Sequence, residues 1–274
     1  MYAEGEGVPE DDADAVRWYR LAAARGYVPA QGNLGVMYDN GYGVPEDDTE
    51  AFRWYRLAAE KGFAPAQYNL GVMYDNGNGV PEDDREAMRW YRLSAEQGFA
   101  AAQYNLGVMY HQGTAGVQDV VEAARWYRLA ANQGYAMAQF ALGSMHSRGD
   151  GVVQSEAEAI SWYGLAAEQG DALAQTNLGA MLAQRWYRHH LEAQDGPLPP
   201  VAFDLAQQDL VVAFKWLTLA AAQENATARA NRRVLEPFLT TDQLVEAQRL
   251  YQEWPDRRSQ RAEPASQTIR ELRR

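Results

Sequence analysis

Residues 84–98 read Asp-Arg-Glu-Ala-Met-Arg-Trp-Tyr-Arg-Leu-Ser-Ala-Glu-Gln-Gly, and the Trp90-Tyr91 pair within them decides the fold. The same pair stands at Trp18-Tyr19, Trp54-Tyr55, Trp126-Tyr127 and Trp162-Tyr163, 36 residues apart each time. A fixed period of this size marks stacked units that cannot bury an apolar face alone and so share a continuous core. Other anchors keep the same phase. Leu-Gly recurs from Leu34-Gly35 to Leu178-Gly179, Ala-Gln from Ala30-Gln31 to Ala174-Gln175, and a single glycine from Gly26 to Gly170. One compensated slip falls in the third loop, where Gly113-Thr114-Ala115-Gly116 gains a residue and Gln118-Asp119-Val120 loses one.

Each unit reads as two helices. In the first, Ala66, Leu70, Met73, Tyr74 and Gly77 share one helical face; in the second, Ala51, Trp54, Tyr55, Ala58 and Ala59 do. Bulky Trp and Tyr alternate with Ala and Gly, which sets large side chains of one helix over small positions of the next. The Trp-Tyr ladder is therefore expected in the core, and Trp54→Ala is expected to cost about 3–5 kcal/mol as a core deletion. The loops carry Asn-Gly-x-Gly-Val-Pro at residues 40–45 and 76–81, which stops one helix and turns the chain. The next helix opens with Asp47-x-x-Glu50, Asp83-x-x-Glu86 or an equivalent, a capping box or a near relative of one. Gly62 is expected in the left-handed position after the second helix, with Phe63 packing back on its last turn.

On these residues the chain resembles the Sel1-like repeat family, relatives of the tetratricopeptide repeats. The carrying motif is Ala66-x-x-x-Leu70-Gly71-x-x-Tyr74-x-x-Gly77-x-Gly79-Val80, then Asp84-x-x-Ala87-x-x-Trp90-Tyr91-x-x-x-Ala95-x-x-Gly98. It runs in phase over residues 1–182 and resumes degenerately around residues 213–228. The resemblance implies an all-α, right-handed α/α superhelical solenoid of helix-turn-helix repeats, its inner surface formed by the first helices. It also implies an adaptor role in assembling complexes. Some members staple each unit with a disulfide and have been discussed as β-lactam binders; this chain has no cysteine and departs from that subgroup.

The formal net charge is −12 over 274 residues. Much of the acid sits in Pro-Glu-Asp-Asp loops as helix caps, and a basic partner is the alternative reading of the excess. Nucleic acid is not an expected partner, since no repeated basic face outweighs that field. No stretch reaches the length of a membrane-spanning helix, and no export signal is visible. Met1-Tyr2 aligns with Met37-Tyr38, so the chain starts inside a repeat. The expectation is that Met1 is internal to a longer product; the location is cytoplasmic by default and periplasmic or secreted if a leader lies upstream.

The expected organisation is a partial first repeat over residues 1–28, repeats in phase over 29–172, a final repeat with an insertion over 173–225, capping helices over 226–254, and a disordered basic tail over 255–274. The insertion is read from Trp162 to Trp216, a gap of 54 residues instead of 36. It predicts two long helices, over residues 175–193 and 203–223, joined by a turn at 194–200. That hairpin carries Trp186, Tyr187, Leu191 and Phe203, and serves either as a partner arm or as the cap an open array requires. Thr241 is expected to N-cap a closing helix with Leu244, Ala247, Leu250 and Tyr251 on one side.

Chemistry is weakly signalled. Residues 75–79 with Glu86 mimic a calcium loop, but glycines stand where ligand oxygens are needed. His189-His190 diverge by about 100° on a helix. No catalytic residue, metal ligand or cofactor site is assigned. The candidates are partner-binding. Opposite the core stripe of the first helices lie Asp39; Tyr68, Val72 and Asp75; Tyr104, Val108 and His111; and Phe140. Aromatics in such a row recur as binding anchors, and Trp186 and Tyr187 join them from the hairpin. Two functions follow. The first is a noncatalytic scaffold that binds a protein or peptide with apolar and basic residues along the concave face. The second is a bacterial envelope-associated or secreted factor binding peptidoglycan, another glycan or a host protein, with or without the weak hydrolase-like activity suspected for cysteine-rich relatives.

Overall fold

The computed structural model describes residues 11–116, 118–195 and 200–254, all helix and connecting turn with no strand among them. The expectations for the start of the chain, for the centre of the hairpin turn, for Phe203 and for the basic tail lie outside what is described. The chain divides into two compact units, one extending through Gln133 and the other beginning at Gly134. The first holds α1 (Asp12–Ala24), α2 (Val28–Asn40), α3 (Asp48–Ala59), α4 (Ala64–Asn76), α5 (Asp84–Glu96), α6 (Ala100–Gln112) and α7 (Val120–Asn132). The second holds α8 (Ala136–Arg148), α9 (Glu156–Glu168), α10 (Ala172–Asp195), α11 (Pro200–Ala222), α12 (Ala226–Leu235) and α13 (241–254).

Local chemistry sets the helix ends. The Asp83 carboxylate accepts from the Arg85 and Glu86 amides at 2.9 and 3.1 Å, while its own N–H donates to the Tyr74 carbonyl at 3.0 Å. Asp47, Asp119 and Ser155 cap in the same way. The acid three residues on does not reach back as in a full capping box. It pairs forward, Glu86 with Arg89 at 3.0 Å and Glu122 with Arg125 at 2.6 Å. Past α3, Gly62 sits at φ +84°, and Phe63 donates its N–H to Ala58 at 3.2 Å while its ring joins the cluster around Ala58. In the loop, Gly79 at φ +65° lies so close to α3 that a Cβ would stand 2.4 Å from the Asp48 carbonyl oxygen. The slip in the third loop is taken up by a short 3-10 turn, Thr114–Gly116, with Ala115 left-handed at φ 62°.

The repeated core follows from one fit. The tyrosine of each Trp-Tyr pair lies against the glycine of the preceding Leu-Gly: Tyr55 on Gly35, Tyr91 on Gly71, Tyr127 on Gly107, Tyr163 on Gly143. Ala66, Leu70 and Met73 are buried as expected, as are Ala51, Ala58 and Ala59. Trp90 is buried as expected, but the other four tryptophans of the pairs differ from expectation. Trp54, Trp126 and Trp162 are only half-buried, and Trp18 is exposed. Position explains this: the tyrosine points to the neighbouring helix, and the adjacent tryptophan points about 100° away. The buried indole N–H groups of Trp54, Trp90, Trp126 and Trp162 also lack a hydrogen-bond acceptor.

The Ala-Gln repeat has a role that periodicity alone does not display. Gln67 is buried, donates to the Ala59 carbonyl at 3.1 Å and accepts from Gln97 at 2.6 Å. Gln103 does the same with Ala95 at 3.1 Å and Gln133 at 2.7 Å. In the second unit Gln175 takes Ala167 at 3.1 Å and Gln223 at 3.0 Å. Each glutamine thus gives a second donor to a helix-end carbonyl that already accepts from Gly62, Gly98 or Gly170, and ties it to the next helix end.

The insertion forms two long helices, α10 of 24 residues and α11 of 23. Arg185 grips Asp209 across them with two bonds of 2.6 Å each, and Asp209 is 5% exposed. Leu217 replaces the tyrosine knob, lying against Gly179. The closing helix starts from Thr240, not Thr241. Gln243 N–H donates to Thr240 Oγ1 at 3.3 Å, and Thr240 N–H donates to Gln243 Oε1 at 2.9 Å. That reciprocal pair satisfies two amides at once, which Thr241 is not placed to do.

Candidate partner-binding surfaces

The first-helix row in the first unit is built on α2, α4 and α6. Tyr68 is half-buried, its ring 5.9 Å from Tyr91 and 5.2 Å from Phe99 of the following repeat. Val72 packs beside it on the cluster around Tyr91. Tyr104 lies 5.6 Å from Tyr127, and in the second unit Phe140 lies 5.6 Å from Tyr163. Each row aromatic therefore braces the buried tyrosine of the next pair and keeps part of its surface open. Val36, the equivalent of Val72, is exposed; Val108 and His111 are half-buried.

The acids of the row are engaged from within. Tyr55 Oη donates to Asp39 Oδ2 at 3.1 Å, and Tyr91 Oη donates to Asp75 Oδ2 at 3.1 Å. Burial raises the Asp39 pKa above the usual carboxylate value, against the Tyr55 hydrogen bond, and Asp48 and Glu46 push it further up. Burial likewise lifts Tyr55, Tyr91 and Tyr127 well above the ordinary phenol range. These phenols stay protonated as donors at neutral pH. Asp75 and Glu86, the outer members of the calcium-like loop, are bonded to Tyr91 and Arg89.

The hairpin residues part company. Trp186 is 4% exposed, stacked on His190 at 5.1 Å and against Phe238 at 5.1 Å, and belongs to the core of the second unit. It is thus corrected from exposed anchor to buried wedge, because α12 and the turn after it cover that side of α10. Tyr187, one position on, remains 50% exposed. His189 turns the other way to Glu192, at 3.1 Å.

A cavity of about 1090 Å³ opens beside Tyr187. Its walls come from α10, from the α8–α9 connection and from α12 with the turn after it. Trp186 and Tyr187 were already candidates and Ser147, Ala180 and Ala183 stand at row positions, but the α12 side, Asn231, Val234, Leu235 and Phe238, lies off the 36-residue pattern. The one available signal was the 54-residue gap before Trp216.

With this geometry in place, comparison with known proteins is specific. The Sel1 repeat profile matches residues 1–27, 28–63, 64–99, 100–135, 136–171 and 204–225. A solved Sel1 repeat protein from Oxalobacter formigenes is 34% identical over 81% of this chain and 84% of its own, with a TM-score of 0.66. A protective antigen of uropathogenic Escherichia coli strains, displaying the same type of repeat fold, is 30% identical over 96% of this chain and 69% of its own, with a TM-score of 0.62. No curated protein matches the chain.

Proposed function

The chain belongs to the Sel1 repeat family, and we propose that it is a noncatalytic interaction scaffold that seats a protein or peptide along the first-helix row of α2, α4 and α6. Members of this family commonly act as protein-interaction scaffolds. The observation carrying the finer reading is the repetition of partly open apolar side chains on that row. Val36, Tyr68, Val72, Tyr104 and Val108 recur at one helical face in three successive repeats of a single unit. Such a ladder offers evenly spaced apolar anchor points, and the half-buried acids Asp39 and Asp75 beside it favour apolar and basic residues in the partner.

Site-specific photo-crosslinking tests the reading. A benzoylphenylalanine placed at Val36 or Val108 is expected to capture one partner in the source cells, while one at exposed Leu129 on α7 captures none. Equal capture from Leu129, or capture only from there, overturns it. The envelope reading has one observation in its favour, the 30% identity with a protective antigen. Fractionation of the source cells, probing envelope and culture medium against cytosol, tests that alternative.

A further inference from the structure

We infer that the cavity at Tyr187 is a second binding site, for an uncharged peptide segment carrying a large apolar side chain. The inference rests on the scaffold reading only in the class of partner, because the site lies in the second unit and shares no residue with the α2–α4–α6 row.

The site exists because α10 overruns the pattern. The regular first helices α4, α6 and α8 are 13 residues long and end at a left-handed glycine. α10 has no such stop after Gln184 and continues to Asp195. Its extra turns carry Trp186, Tyr187 and Arg188 alongside Gln154 of the α8–α9 connection and Glu156 at the start of α9. α12 and its following turn close the other side with Val234 and Phe238. Ser147, Ala180 and Ala183 line it too, and these stand at row positions equivalent to Asp39, Val72 and Asp75. The cavity thus lies at the second unit's own first-helix row positions, walled off by α12.

Its chemistry selects the occupant. Trp186 and Leu235 form a buried apolar floor, while Val234 at 67% and Phe238 at 47% leave apolar surface open to water. Covering such surface is favourable in proportion to area. The one ion pair is closed on itself: Arg188 Nη2 donates to both Glu156 oxygens at 2.6 Å. Arg188 and Glu156, the charged residues of the lining, thus cancel each other at an exposed rim, and a lining without net charge is matched by a neutral ligand. The remaining polar groups include the Gln154, Gln184 and Asn231 amides, each both donor and acceptor, which matches peptide N–H and C=O groups. The volume lies just above the range of ordinary ligand pockets and exceeds a single side chain.

The probe is a displayed library of short peptides lacking Asp, Glu, Lys and Arg, panned on the full chain, with the best sequences then measured by calorimetry. Val234→Arg adds bulk and charge at an exposed position, and Tyr187→Ala removes an exposed wall; thermal unfolding checks that each variant remains folded. The expected result is selected peptides sharing a large apolar residue, weakened about tenfold or more by either variant and unchanged by Tyr104→Ala. Three results overturn the site: no selected peptide, affinity indifferent to both variants, or pocket-dependent binding of a chito-oligosaccharide in place of peptide. Loss of this site leaves the Val36 and Val108 cross-links intact if the scaffold reading holds, so the two can fail separately.

Discussion

The Tyr91 ring stands 2.6 Å from where a Cβ on Gly71 would sit, so the glycine of Leu-Gly and the tyrosine of Trp-Tyr are two halves of one contact. Gly→Ala inside a helix ordinarily stabilises by about 1 kcal/mol. Here the sign reverses, because the methyl must displace a buried ring: Gly71→Ala is expected to destabilise by about 1–3 kcal/mol in urea unfolding. Gly164, which has nothing within 4 Å, is the internal control, and Gly164→Ala is expected to stabilise.

The same contact ranks the Trp-Tyr pair. Tyr55→Ala is expected to cost about 3–5 kcal/mol, while Trp54→Ala costs less, on the order of 1–3 kcal/mol, since half-burial and an unpaired indole N–H reduce what is lost. Parallel denaturant titrations of the two variants check the order. An equal or larger loss for Trp54→Ala would restore the simpler view of both as core.

Gln103 occupies the centre of a ladder linking the Ala95 carbonyl to Gln133. Gln103→Leu keeps bulk but removes one of the two bonds to the Ala95 carbonyl, which still accepts from Gly98 at 2.9 Å, and releases exposed Gln133 to water, so a loss of about 0.5–1.5 kcal/mol is expected. Amide exchange should show it as faster opening at the C-terminus of α5.

Across the long hairpin, Arg185→Ala leaves the Asp209 carboxylate buried without its cation. A loss of about 3 kcal/mol is expected, in the range for breaking a buried pair, while Arg185→Met/Asp209→Leu recovers most of it. Thermal unfolding of the two variants gives the comparison.

Alkali tests the buried phenols. Tyr55 and Tyr91 have folded pKa values above the ordinary 10.0, so their contribution is fully present below pH 10 and is lost as pH rises toward the folded values. Phenolate absorbance should show these tyrosines lagging the exposed ones, then ionising together with unfolding. Asp39 follows the same sign in acid. Its raised pKa means that ionisation above 3.8 costs stability, so Asp39→Asn is expected to raise the melting temperature at neutral pH.

Much of this was written in the sequence because the repeat states each contact several times. Helix pairs, caps, the left-handed Gly62 and the long hairpin all follow from period and spacing. The division of labour between Trp and Tyr did not, because both belong to one apolar stripe and only the facing glycine tells them apart. The role of Gln67 and Gln103 was hidden for a related reason: Ala-Gln recurs visibly, but its partners lie 8 residues before it and 30 after. Trp186 was misplaced because the covering element, α12 with Phe238, has no repeat pattern to announce it. The cavity at Tyr187 shares that cause.

The most direct measurement is the affinity of the captured partner for the wild-type chain and for Val36→Arg/Val108→Arg, determined by calorimetry with melting temperatures alongside. A row that binds an apolar and basic segment predicts a loss of about tenfold or more with little change in melting temperature. Unchanged affinity in a variant that remains folded would contradict the account.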